Sequence, residues 1–391
     1  MLKKLTIFVH RASECLTDHE SHGDGLICFS LLNGLAERGH QIFAYTNAAS
    51  IRNCSPNLHL QTGQRLLPAN SLAPWEYAWQ ADRWMRNLSR QHSLDLIWRM
   101  HPYGNGCPTV PQTGGRPLVI GPLFYNWPAQ PRTPLKSGRP RFGIGLQSVI
   151  GPAAARGWLR TLQQASLILC ATGDHAVMMQ RQFPEADVVT LPVIIDPPPV
   201  EPSRRRAEHV VLMFAGNLVP GKNPMLFCQT IRSLRNSGID AVGIVLGEGP
   251  EQEKLDVYCA RFGLNEWISF QGKVDNSEVY GYLSEADFLV STSFGEPYGR
   301  GIVEAMSVGT PAVCHRSGGP SEYIIDGING LLVDALTGAA FAGSIVRTLS
   351  QPGAWKDLSE NARRTAQAWR SEIVLPQLEV ALYAVIQGSQ P

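Results

Sequence analysis

The sequence has no long run of apolar residues. Its 391 residues are 44% hydrophobic, yet no tract reaches the roughly 20 apolar residues that a membrane-spanning helix needs. The amino-terminal MLKKLTIFVH passes from two lysines into a strand-like segment without a signal-peptide cleavage site. We therefore expect a cytoplasmic protein that neither spans a membrane nor is secreted.

Metal-binding and disulfide patterns are also absent. The eight cysteines are scattered without a C-x-x-C pair, and no Asp-x-Asp occurs. We expect reduced core cysteines, no metal site and no cofactor.

Acidic residues are missing from one long window. No Asp or Glu lies between Asp95 and Asp174, a stretch that holds eight basic residues, and residues 1–195 carry net charge +7 against −6 for the rest. One interpretation is contact with an anion, either a phosphorylated or lipid-linked acceptor or a negatively charged membrane surface. The other is an acid-poor domain with dispersed, solvated arginines. We expect no nucleic-acid partner.

Short apolar runs alternate with helix-length amphipathic stretches in both halves of the chain, a pattern typical of parallel βαβ units. A segment rich in proline and arginine, residues 196–208, interrupts the alternation. We therefore predict an α/β protein with two doubly wound domains, residues 1–195 and 209–368, joined by that linker. Residues 369–391 are expected to form a helix that packs back towards the first domain.

The densest motif is STSFGEPYGRGIVEAMSVGTPAVCHRSGGPSEYIIDGINGLLV, residues 291–333. It places Glu296 after an expected strand, Gly299 and Gly301 at a helix start, and Glu304 one turn further along. A glycine-rich helix start offers unpaired N–H groups to a phosphate, and carboxylates accept hydrogen bonds from sugar hydroxyls. From the residues alone, a helix cap with a surface glutamate is an equally good interpretation.

The chain resembles the retaining GT-B nucleotide-sugar glycosyltransferases of family 4, also called glycosyl transferases group 1. The similarity is carried by E-x7-E from Glu296 to Glu304, the following EAMSVGTPAV, SGGPSE (317–322) and DGINGLLV (326–333), in the family's order and spacing. It implies two Rossmann-like domains facing a cleft, with the acceptor bound by the first and the donor by the second.

The resemblance also implies roles for single residues. Glu296 corresponds to the carboxylate that holds the donor sugar and Glu304 to the one that binds ribose, while Lys222 would neutralise the leaving diphosphate. Asn217 stands where the family usually has an arginine, and we hypothesise that Arg300 supplies the missing cation. The implied donor-binding residues are Gly216, Asn217, Lys222, Gly247, Lys273, Val274, Glu296, Tyr298, Gly299, Arg300, Gly301 and Glu304.

The first half is less similar. His22, Gly23 and Gly25 fall in the expected acceptor or phosphate loop, although His22 replaces a family glycine. His101 is the expected counterpart of a family histidine near the donor sugar, and we group it with Glu296 and Lys222 as catalytic. His10 ends the first expected strand and could face the same site; for both histidines a purely structural role is an alternative.

The expected function is metal-independent transfer of a sugar from a nucleoside diphosphate to an acceptor hydroxyl with retained anomeric configuration. Two alternatives remain open at this point: a nucleotide-sugar epimerase or hydrolase on the same fold, and a noncatalytic nucleotide-sugar-binding subunit.

Overall fold

A computed structural model describes residues 3–20, 23–64, 73–100, 111–124, 156–199 and 209–388. The described chain forms two units. The first contains the described residues up to 124, residues 156–194 and residues 371–388, and the second contains residues 195–199 and 209–370. Most of the expected linker, residues 200–208, lies outside the described residues.

The first unit is built on a seven-stranded sheet. In chain order its strands are β1 (Thr6–Arg11), β3 (Gln41–Thr46), β5 (Leu58–Thr62), β6 (Leu96–Arg99), β7 (Leu118–Leu123), β8 (Leu167–Cys170) and β9 (Asp187–Thr190). Their spatial order is β5-β3-β1-β6-β7-β8-β9, and every pairing is parallel. A small second sheet pairs β2 (Cys15–Thr17) with β4 (Ala48–Ser50). The helices are α1 (Gly23–Glu37), α2 (Ala73–Leu88), α3 (residues 156–163), α4 (Gly173–Gln182) and α12 (Ser371–Gly388).

The second unit repeats this architecture with six strands. They are β10 (Val210–Ala215), β11 (Ala241–Leu246), β12 (Ile268–Gly272), β13 (Phe288–Ser291), β14 (Ala312–His315) and β15 (Leu331–Val333), in the spatial order β12-β11-β10-β13-β14-β15. The helices are α5 (Pro224–Asn236), α6 (Gln252–Phe262), α7 (Asn276–Glu285), α8 (Arg300–Ser307), α9 (Pro320–Tyr323), α10 (Gly338–Leu349) and α11 (Ala354–Ala366), with 3-10 turns at Pro220–Lys222 and Gln367–Trp369.

Both sheets have the strand order of doubly wound Rossmann folds, so the predicted architecture of two such domains is confirmed. In each sheet the order reverses at one point, between β1 and β6 in the first unit and between β10 and β13 in the second. Ligands of open α/β sheets bind beyond the carboxyl ends of the strands at such a point. The two reversals therefore mark where functional side chains are expected.

Three details differ from the sequence predictions. Gly23 and Gly25, expected in a loop, lie in the first turn of α1, because the helix begins three residues before the apolar run that starts at Leu26. The apolar run that begins at Val188 predicts a buried strand, whereas β9 is an edge strand with exposed ends. Cys54 is exposed rather than in the core, and Cys107 lies outside the described residues; all cysteines of the described segments are unbridged.

Helix α12 closes the first unit. Helix α1 is buried on nearly all sides, and a Cβ on Gly34 would lie 2.6 Å from Leu375 of α12, so glycine allows the two helices to approach closely. Glu379 of α12 accepts hydrogen bonds from Arg38 Nη2 at 2.6 Å and bonds to His40 Nε2 at 2.8 Å. Because Arg38 stabilises the charged form, the pKa of Glu379 is lowered.

Replacing this carboxylate tests how firmly α12 is held. We expect Glu379→Ala to lower the free energy of unfolding by about 2–4 kcal/mol at pH 7, because the buried His40 loses its partner. A depressed carboxyl pKa stabilises the fold above its unfolded value, so the difference from wild type should shrink as pH falls through the folded pKa. Chemical denaturation at pH 7 and pH 3.5 measures it; the exposed Glu372→Ala is the control and should change little. Equal effects of the two variants would contradict this role.

Candidate functional site

Two loops meet at the strand reversal of the second unit. The loop after β10 runs from Gly216 to a 3-10 turn that ends at Lys222, and the loop after β13 runs from Thr292 to Gly299. Thr292 Oγ1 donates to the Lys222 carbonyl at 2.8 Å, and Phe294 N–H donates to the Gly221 carbonyl at 3.2 Å. These bonds hold the two loops side by side.

Lys222 and Glu296 form an ion pair at this junction. Lys222 Nζ lies 2.5 Å from Glu296 Oε2, and Ser293 Oγ donates to the same oxygen at 3.0 Å. The Glu296 side chain is 14% exposed and that of Lys222 38% exposed. The pair therefore combines a fixed carboxylate with an ammonium group that solvent, or a ligand, can reach.

Glycines bring the neighbouring loop within backbone distance. A Cβ on Gly247, after β11, would lie 2.1 Å from the Gly216 carbonyl oxygen, and one on Gly249 would lie 2.5 Å from that of Leu218. Both glycines also have positive φ angles, of 128° and 159°. Gly247 N–H donates to the Gly272 carbonyl at 2.7 Å, which places the end of β12, and with it Lys273 and Val274, at the same edge.

The SGGPSE and DGINGLLV motifs pack against the loop that carries Glu296 and order the turn before β15. Gly319 N–H donates to the Glu296 carbonyl at 2.9 Å, and a Cβ on Gly319 would lie 2.4 Å from the Pro297 carbonyl oxygen. Asn329 holds the turn before β15 through bonds to Ile325 N–H and to the Tyr323 carbonyl. In the described structure these motif residues shape the Glu296 loop.

Helix α8 begins directly after that loop. Its N-cap is Gly299, with φ 87°, a conformation that L side chains rarely adopt. Tyr298 is buried, and its hydroxyl bonds to the indole N–H of Trp369. The first turn of α8 therefore follows directly on the loop that carries Glu296.

Glu304 and Arg300 are partners inside α8. Arg300 Nε donates to Glu304 Oε1 at 2.9 Å, and the Tyr280 hydroxyl bonds to the same carboxylate. Glu304 is 5% exposed, and burial raises its pKa. Arg300 Nη1 is buried and has no hydrogen-bond partner within the described part of the chain. In this structure Arg300 neutralises Glu304. A contact of Arg300 with a phosphate stays a prediction.

The expected donor-side residues thus collect at one edge, whereas those of the first unit are only partly described. His22 and His101 lie outside the described residues, and Gly23 and Gly25 are placed at the start of α1. Sequence reasoning missed Ser293 and Tyr280, which hold the two glutamates. Ser293 could have been found as a hydroxyl residue three positions before Glu296. No feature of the sequence around Tyr280 indicates its contact with Glu304.

Comparison with known proteins places the second unit. Residues 200–365 match the family model of glycosyl transferases group 1. Over this segment the chain is similar to the group 1 glycosyl transferases. The chain is 30% identical to the D-inositol 3-phosphate glycosyltransferase of Arthrobacter sp. (strain FB24) over 162 residues, 40% of this chain and 38% of that protein. It is 25% identical to the lipopolysaccharide core biosynthesis glycosyltransferase LpsD of Rhizobium meliloti (strain 1021) over 221 residues, 55% and 63% of the two proteins.

The sequence matches therefore span about two fifths to two thirds of the length of these relatives. The fold, by contrast, agrees with solved structures over nearly the whole length of the chain. The sucrose-phosphate synthase of Thermosynechococcus elongatus superimposes with a TM-score of 0.74 at 17% identity, covering 99% of this chain and 100% of that one. WaaG, a glycosyltransferase involved in lipopolysaccharide biosynthesis, gives 0.68 at 17% identity, covering 96% and 98%. The predicted GT-B fold is confirmed.

The Arg300–Glu304 pair yields a prediction about stability. Arg300→Ala would leave a buried carboxylate with Tyr280 alone, and we expect a loss of about 3 kcal/mol in the free energy of unfolding. The double variant Arg300→Ala/Glu304→Gln should recover part of it, because it removes the unpaired charge. Chemical denaturation measures both. Unchanged stability of Arg300→Ala together with weaker binding of UDP would instead support the phosphate role.

Proposed function

We propose that the protein is a glycosyltransferase that moves a sugar from a nucleoside-diphosphate donor to an acceptor hydroxyl. The observation that carries the proposal is the Lys222–Glu296–Ser293 cluster at the strand reversal of the group 1 domain. A nucleotide sugar needs a cation for its diphosphate and an acceptor of hydrogen bonds for its sugar hydroxyls. The cluster offers both within one hydrogen-bond network. UDP is the nucleotide in a solved structural neighbour, Anabaena Alr3699/HepE in complex with UDP (TM-score 0.67, 18% identity, covering 97% of this chain and 100% of that one).

The proposed reaction breaks the bond between the anomeric carbon and the β-phosphate oxygen and forms one from that carbon to the acceptor oxygen. The acceptor proton passes to the leaving phosphate. Negative charge grows on the diphosphate in the transition state, so preorganised positive charge lowers the barrier. Lys222 and the N–H groups at the start of α8 supply it.

Retention of configuration and independence of metal belong to the same proposal. Glu296 is bonded to Lys222 and Ser293 and so is arranged as a hydrogen-bond acceptor, not as a nucleophile. We therefore favour attack on the face from which the diphosphate departs. The cationic groups named above, together with the absence of Asp-x-Asp from the sequence, support charge neutralisation by protein groups.

Substitution of the ion pair tests the activity. Lys222→Ala and Glu296→Ala should each lower kcat/KM by about 100-fold or more while the protein stays folded, because both groups lie in loops. The surface pair Lys356–Glu360, 3.7 Å apart and exposed, provides the matched control, and Lys356→Ala should keep wild-type rates. Transfer from labelled UDP-sugars to a panel of acceptors is the assay. Wild-type rates in both site variants would remove the site assignment.

We also propose that the first unit contacts an anionic membrane surface through one face of α2. Trp75 and Trp79 are 37% and 52% exposed on this helix, with Arg83, Arg86 and Arg90 exposed beside or just beyond them. Arg83 lies over the Trp79 ring at 5.7 Å. The acids of α2 are turned inward: Glu76 is buried and Asp82 bonds to His10. Exposed tryptophan beside arginine suits the interface of negatively charged lipids. None of the described helices is long and apolar enough to cross a membrane.

Vesicle binding tests this surface. The protein should sediment with phosphatidylglycerol vesicles at low salt and not with phosphatidylcholine vesicles. Arg83→Glu/Arg86→Glu should weaken binding at least about tenfold, since each arginine near such a surface contributes about 1 kcal/mol. Trp75→Ser/Trp79→Ser should weaken it at least about tenfold as well, because it removes the apolar area that would enter the lipid interface. Val257→Ser and Arg347→Glu, exposed in the second unit, are the controls. Absence of wild-type binding at low salt would contradict the surface.

A further inference from the structure

Two buried arginines end the central strands of the first unit. Arg11 is the last residue of β1 and Arg99 the last of β6, and the two are partners in the parallel register. They are 7% and 1% exposed. The strand order reverses between these strands, so both lie where a doubly wound sheet binds its ligand.

Within the described residues, each of the two guanidinium groups makes a direct contact with an uncharged side chain. That of Arg11 lies 5.3 Å from the centre of the Tyr77 ring, and its buried Nε has no hydrogen-bond partner within the described segments. Arg99 Nη1 donates to Thr161 Oγ1 of α3 at 3.2 Å. Neither contact brings a negative charge.

Nearby carboxylates compensate these charges only in part. Asp82 acts on Arg99, but its Oδ1 is bonded to His10 Nε2 at 2.9 Å. Glu14 acts on Arg11 and is exposed to solvent. His10 is fully buried, and burial lowers its pKa, so it is neutral at pH 7 and donates its Nε2 proton to Asp82.

The chain that follows Arg99 has few groups that could compensate the two positive charges. Residues 96–173 contain no Asp or Glu, so no segment between β6 and α4 has a carboxylate side chain to offer. Burial and the repulsion of Arg11 together lower the pKa of Arg99 to about 9, which still leaves it charged at pH 7. The cluster holds two like charges in a desolvated position.

Such a cluster costs stability. Apolar residues of similar volume at both positions would avoid the loss of hydration and the repulsion, and departures of this kind occur mainly at functional sites. Paired guanidinium groups match the oxygens of phosphate and carboxylate groups through charge-assisted hydrogen bonds.

We propose that Arg11 and Arg99 bind an anionic group, phosphate or carboxylate, carried by the acceptor. The assignment rests on the proposed transferase function, in which the second unit binds the diphosphate of the donor and leaves the first unit to select the acceptor. A neutral sugar acceptor would not satisfy this site.

Thermal unfolding of the full chain, in buffers of equal ionic strength with chloride, inorganic phosphate or acetate, tests the site. Phosphate or acetate should raise the Tm of the wild type, and Arg11→Met should weaken the apparent affinity for that anion by about tenfold or more. In chloride, Arg11→Met should be at least as stable as the wild type, because it removes a buried charge. A lower Tm in chloride would assign Arg11 a structural role and overturn the proposal.

Two further variants locate the anion. Arg116→Met is the control. Arg116 lies just before β7, at the other end of the sheet from Arg11 and Arg99, and donates to the carbonyls of Leu94 and Thr113, so this variant should keep the anion effect. Arg11→Lys, which keeps the charge without the guanidinium fork, should show an intermediate effect. No stabilisation of the wild type by either anion, or an equal effect in Arg11→Met, would overturn the site.

A third arm uses UDP to separate acceptor from donor. Stabilisation by UDP should be lost in Lys222→Ala and kept in Arg11→Met. Loss in Arg11→Met would assign the arginines to the donor diphosphate and overturn the acceptor assignment. Failure of UDP to bind at all would count against the proposed function, while the response to phosphate or acetate would still report on Arg11.

Discussion

The candidate donor site depends on backbone lying directly against backbone. Gly247 and Gly249 press on the loop after β10, and Gly319 presses on the loop after β13, in each case where a Cβ would fall within 2.5 Å of a carbonyl oxygen. Side chains at these positions would push the loops apart. Lys222 and Glu296 would then lie beyond the distance of an ion pair, so the charge arrangement follows from a steric constraint.

Much of the fold was predictable because buried parallel strands are short, apolar and regularly spaced. The apolar run QIFAYT forms β3 (Gln41–Thr46), and Pro224, a residue typical of the first helical position, begins α5. Helix α2, in which polar and aromatic residues mix, and the three-residue strands β2 and β4 do not follow that pattern of short apolar runs. These elements are set by what they pack against, and a local window does not contain that information.

The candidate sites of the two units were predictable to different degrees. Resemblance to a family supplied Lys222, Glu296 and Glu304, but not Ser293 and Tyr280, because these two residues act through distances that only the folded chain defines. The same holds for Arg11 and Arg99. They are 88 positions apart in the chain, and only the parallel register makes them neighbours. The buried Glu304 is thus paired with an opposite charge, whereas Arg11 and Arg99 lie beside each other.

The return of α12 to the first unit affects how the protein is made. Helix α1 is synthesised early, yet the helix that covers it and the carboxylate that bonds to Arg38 and His40 come from residues 371–388. On the ribosome, the second unit emerges complete while one face of α1 is still bare. Of the two units, the first therefore completes its packing only once residues 371–388 are available, and until then the apolar surface of α1 is accessible to a chaperone.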